Sequence, residues 1–222
     1  MLSRGASLTR NLRFQMAGDN RRPHGSHQYY VWSPKLDRRL TLFGEAALNA
    51  WIAIEADPQI LAFCERPRVI STQKPARVVD FWVQRTASEE LWFLQRRSKR
   101  AKEANSVGPS FRTWAVSNKL TVREFPVDEL VLDEQLRRNW ATVLHYLAAN
   151  RALTKPDFLD RIRGACPTAV TLECLEQQFP TEDPVLVRAG VFCLFQQGLL
   201  ESVHFADAPI GPMMRFEAIQ SA

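Results

Sequence analysis

The sequence predicts a mixed α/β domain followed by a smaller domain of helices closed by a hairpin. Three observations predict it. Short extended runs rich in Val, Phe and Trp flank one apolar helical run in the first 130 residues. From Val131 the pattern changes to amphipathic helical periodicity. Two short apolar runs, Leu200–Phe205 and Met213–Ile219, split by the turn-forming ADAPIG, end the chain. With 222 residues, 45% of them hydrophobic, there is interior enough for one large domain or two small ones.

Taken in order, residues 1–28 alternate basic and small polar residues without sustained periodicity, which predicts a flexible basic arm. Tyr29–Trp32 and Arg39–Phe43 read as short strands joined at the turn SPKLD. A helix follows from about Phe43 to Ala56, apolar nearly all round and therefore buried, with Glu45 at its head and Asn49 on the same face. Asp57-Pro58 stops it, and an extended crossing, FCERPRVISTQ, leads to a strand Val78–Val83 that carries Asp80. After the exposed turn TASEE comes a second strand, Leu91–Arg97, on which alternation places Phe93, Gln95 and Arg97 on one face. A charged helical stretch with a Gly-Pro break and a strand Leu120–Val127 complete a domain spanning 29–130.

The second domain, 131–222, opens on a long helix, Asp133–Asn150, with acids at its start as the helix dipole favours. Helices at Lys155–Cys166, Thr171–Phe179 and Pro184–Gln197 precede the closing hairpin. That order is the order of a winged helix.

Charge is unevenly placed. Residues 1–40 hold eight Lys or Arg against two acids, residues 85–125 nine against four, and residues 126–222 eight against thirteen. Two basic segments flanking a slightly acidic middle suit phosphate-backbone contacts around a carboxylate-bearing centre, whereas the acidic final third does not suit a general DNA grip. The cysteines (Cys64, Cys166, Cys174, Cys193) form no C-x-x-C pair and are expected as buried free thiols. His24, His27, His145 and His204 show no zinc spacing. No apolar run is long enough to cross a bilayer, and no secretory signal is legible, so a cytoplasmic setting is expected.

Glu45, Asp80, Gln95 and Arg97 are the polar groups expected where these elements converge. One acid on a helix, one in a strand and an amide–cation pair on the next strand suit a metal-dependent phosphodiesterase site. The competing reading is a small α/β core with scattered surface charge. The run R-R-S-K-R-A-K after the second strand suits phosphate contact through Arg96, Lys99, Arg100 and Lys102, or a plain solvated face. Trp51, Trp82 and Trp140 lie in apolar patterns and are expected in the core.

The order G-E, then E-A-D-P-x-I-x-x-F-C-E-R-P, then V-V-D-F-W-V, then L-Q-R-R resembles the TnsA endonuclease subunit of heteromeric (TnsABC-type) cut-and-paste transposases. The resemblance covers residues 29–127 by motif and 131–222 by element order. It implies a restriction-endonuclease-like nuclease domain of the PD-(D/E)xK kind followed by a winged-helix domain. It also implies a bacterial protein, nucleoid-associated when on DNA, that cuts one strand on the 5′ side of transposon ends with Mg²⁺ or Mn²⁺. A DDE-type transposase subunit and an AAA+ regulator are the implied partners. The family's strand aspartate falls on Asp80, its glutamine on Gln95 and its helical acid on Glu45, with Ala47 competing for that slot. All three are the implied metal ligands. The lysine position holds Arg97, whose guanidinium cannot deprotonate to act as a base, although Lys99 lies on the same strand face. Two further readings stand beside an active nuclease. One is a degenerate nuclease fold kept for assembly and DNA positioning, and the other an unrelated α/β protein with a winged-helix regulator.

Overall fold

The computed structural model describes residues 12–70, 76–95, 107–126, 129–153 and 155–220. The fold is mixed α/β and divides into two compact units. The first holds the chain up to Val31, Lys35–Ile54 and Gln59–Val131; the second takes Trp32–Pro34, Glu55–Pro58 and everything from Leu132.

In the first unit, strands β1 (Gln28–Ser33) and β2 (Arg38–Phe43) pair as a two-stranded sheet. Gly44, at φ 86°, turns the chain from β2 into helix α1 (Glu45–Ala56), a conformation that a side chain would strain. The helix buries Ala50, Trp51, Ile52 and Ile54, as its apolar sequence requires.

Strand β3 (Ile60–Glu65) leads through β4 (Val69–Ile70) and β5 (Arg77–Val78), which pair with each other, to β6 (Phe81–Arg85) and β7 (Glu89–Leu94). After α2 (Pro109–Ser117) comes β8 (Leu120–Phe125). The main sheet has the order β3-β6-β7-β8, antiparallel except for the last pair. A parallel pair needs a crossover, and α2 lies within it. Cys64, Trp82, Leu91 and Phe93 form one cluster with Phe111, Ala115 and Leu120.

The arm expected to be flexible is docked from Leu12 onward. Leu12 and Phe14 pack against that cluster, and the Phe14 ring meets Trp82 edge-on at 5.7 Å. Arg13 Nε lies 2.9 Å from Glu89, and Gly18 donates its N–H to the Arg66 carbonyl at 2.8 Å. Two apolar residues in a basic context show no period, so burial there left no pattern to read.

The second unit opens on α3 (Glu134–Asn150), capped by the Asp133 side chain on the Gln135 amide. It continues with α4 (Pro156–Gly164), β9 (Val170–Thr171), α5 (Leu172–Gln178), α6 (Pro184–Gln196), β10 (Leu200–Glu201) and β11 (Arg215–Ala218). The three strands form a sheet with β11 between β10 and β9. Trp140 of α3 stacks on Phe195 of α6 at 5.3 Å. Asn139 donates to the carbonyls of Phe205 and Ala208 and accepts from the Ile210 amide, tying down the chain between β10 and β11. The hairpin strands are shorter than expected because turns occupy residues 203–207. Trp51, Trp82 and Trp140 are buried as expected, but Cys174 is exposed and Cys193 only half-buried.

Candidate functional site

Asp80 does not sit inside a regular strand. Phe81 pairs with Trp92, and the Asp80 amide also donates to the Trp92 carbonyl, at 3.0 Å. Two residues of one strand therefore stand opposite one of the other, the signature of a β-bulge. Successive side chains of a regular strand face opposite ways, yet Asp80 and Phe81 line one small cleft. The bulge lets both residues line it. Asp80 Oδ2 accepts the Leu94 amide at 2.8 Å, so the acid is fixed against β7.

The cleft's other walls are Thr41, Leu42 and Phe43 of β2, Ala47 of α1, and Glu65 and Arg66 where β3 ends. Glu65, 4% exposed, is gripped by both terminal nitrogens of Arg38, with Nη1 at 2.8 Å from Oε1. Arg66 takes φ 44°, the left-handed region, and lines the cleft next to Glu65. Its guanidinium lies over the Phe43 ring and donates to the carbonyl and carboxylate of Asp19 and to the Arg21 carbonyl.

Of the three expected metal ligands on described residues, Asp80 alone lines the cleft. Glu45 is exposed in the first turn of α1. Helical geometry sets residue 47 about 200° round from residue 45, and it is Ala47 that lines the cleft. Gln95 follows β7 directly; its amide donates to the Phe125 carbonyl at 2.9 Å, one residue beyond the amide that holds Asp80. Arg96, Arg97, Lys99, Arg100 and Lys102 lie outside the described residues.

A divalent ion of the Mg²⁺ type takes one or two carboxylates, water and substrate oxygens in near-octahedral array. Of the set Glu45, Asp80 and Gln95, Asp80 lines the cleft, Glu45 is exposed on α1 and Gln95 follows β7. The neighbouring Glu65 has its charge met by Arg38. No cluster of three or more His, Cys, Asp or Glu side chains suited to a metal is found among the described residues.

Cys64 precedes this pair and is fully buried. Burial, with the negative charge of Glu65 adding to it and Arg38 opposing, pushes its thiol up to about 12, so it stays protonated and inert. Glu65, Arg66 and Asp19 were not singled out by sequence reasoning. The signal was present in C-E-R-P, where an acid and a base adjoin a strand-ending proline.

No helix among the described residues is long and apolar enough to cross a membrane. No family model matches the chain, and no curated protein matches it.

Proposed function

We propose that the chain is a TnsA-like subunit of a heteromeric transposase whose nuclease-type fold positions DNA ends and assembles with the transposase instead of cutting DNA itself. The observation that carries this reading is that α1 lines the Asp80 cleft with Ala47, which competes with Glu45 for the slot of the family's helical acid, while Glu45 is exposed. Arg97 in the lysine slot points the same way, since a guanidinium cannot serve as a base. A nuclease-type first unit is supported by a helix, three antiparallel strands, a second helix and a fourth strand parallel to the third, with an aspartate at the head of the second. A winged-helix second unit is supported by the order α4-β9-α5-α6-β10-β11 with β11 central in the sheet.

A second reading, an active endonuclease, is favoured by the care with which the bulge and the Leu94 amide present Asp80. A nicking assay on transposon-end DNA with Mg²⁺ or Mn²⁺ and the partner transposase separates the two. The assembly reading expects partner and DNA binding that survive Asp80→Ala, with no nicking attributable to this chain. Nicking that disappears on Asp80→Ala overturns it.

A further inference from the structure

Arg66 is the cation among the residues lining the cleft, and an acid from the N-terminal segment pairs with its guanidinium. Arg66 is 8% exposed, and its charge is met by Asp19, whose carboxylate and carbonyl both accept from it, together with the Arg21 carbonyl. Asp19 stands 47 positions away in the chain. The segment that delivers it approaches closely: Gly18 donates to the Arg66 carbonyl, and a Cβ on Gly18 would lie 2.6 Å from the Pro67 carbonyl oxygen. A buried ion pair is a poor source of stability, because desolvation cancels much of the attraction, and an apolar contact would fasten the segment as well. A guanidinium's planar fork also matches phosphate as well as carboxylate. Arg66 holds the left-handed backbone conformation, a strained state for a residue with a side chain, and lines the cleft together with Asp80.

We infer that Arg66 is a phosphodiester-binding residue whose site is filled, in this structure, by the chain's own Asp19 carboxylate acting in place of a phosphate. Residues 18–21 are then a strap that DNA displaces. This rests on the DNA-positioning reading above. It predicts that loosening the strap raises DNA affinity, and that the gain depends on Arg66.

The test is a fluorescence-anisotropy titration of a labelled 30-base-pair duplex of mixed sequence over a range of salt concentrations, using the full chain. Asp19→Asn should bind about threefold to tenfold tighter than wild type, with a salt dependence steeper by about one phosphate contact. Gly18→Ala changes no charge but pushes the strap from Pro67, and should give a gain in the same direction. Both gains should vanish when Arg66→Gln is added. Asp37→Asn, which makes the same charge change at the β1–β2 turn, should not reproduce them. Wild type that binds while Asp19→Asn and Gly18→Ala bind no tighter overturns the strap and leaves the DNA reading standing. A gain that persists without Arg66, or that Asp37→Asn matches, also overturns it. No binding by wild type or any variant overturns the DNA reading and the inference together.

Discussion

Arg38 and Glu65, the latter a lining residue of the Asp80 cleft, are joined by two parallel hydrogen bonds, Nη1 to Oε1 and Nη2 to Oε2. Glu65 is buried, and among the described residues its charge is met by this fork-shaped partner. Arg38→Ala leaves that carboxylate unpaired and should destabilise the chain by about 3 kcal/mol, measured as a lower urea midpoint. Arg38→Lys should recover only part of the loss, because an ammonium meets one oxygen at a time.

In the second unit, Glu55 is fully buried and accepts from the Ser33 hydroxyl and, at 2.8 Å, from Gln196 Nε2. Glu55→Ala removes the acceptor from both donors and leaves a void. The expected cost is about 3 kcal/mol in urea unfolding, with Glu55→Gln milder because its carbonyl still accepts.

Gly190 lies inside α6, where alanine ordinarily strengthens a helix by about 1 kcal/mol. Here a Cβ would come 2.3 Å from Cδ1 of the fully buried Ile162. Overpacking of about 2 kcal/mol outweighs the propensity gain. Gly190→Ala should therefore lower the thermal midpoint, and Gly190→Ala with Ile162→Val should restore part of it.

Burial pushes three thiols up from 9.0, Cys64 to about 12 and Cys166 and Cys193 to about 11. Below pH 9 both folded and unfolded thiols are protonated, and the stability is intact. As pH rises above 9 the unfolded thiols lose protons that the folded ones keep, so stability falls between pH 9 and the folded values, by up to about 1.4 kcal/mol per pH unit for each thiol. Thermal unfolding at pH 8 and pH 10.5 checks this. Cys166→Ala should flatten the fall; an unchanged slope would mean that other groups cause it.

The parts of the fold that a sequence carries in its periodicity were legible: the apolar α1, the amphipathic α3 and the strands around Trp82 and Phe93 matched their patterns. What escaped depends on geometry between neighbours. Asp80 read as an oddity in an apolar strand because a bulge leaves no mark in composition; only pairing against Trp92 reveals it. Glu45 and Ala47 were both in view, but a two-residue difference decides which side of a helix faces a cleft, and the helix's nearly uniform apolarity does not set that rotation. Phe14 packs on Trp82 from a segment too irregular to show a period.

The assembly reading turns on α1 lining the Asp80 cleft with Ala47 in place of an acid. It is tested most directly by titrating the wild-type chain, Asp80→Ala and Ala47→Glu with Mn²⁺ and following the free ion by electron paramagnetic resonance. Wild type and Asp80→Ala should take up the same amount, and Ala47→Glu should gain one site that Asp80→Ala abolishes in the double variant. One equivalent of Mn²⁺ bound by wild type and lost in Asp80→Ala would contradict it.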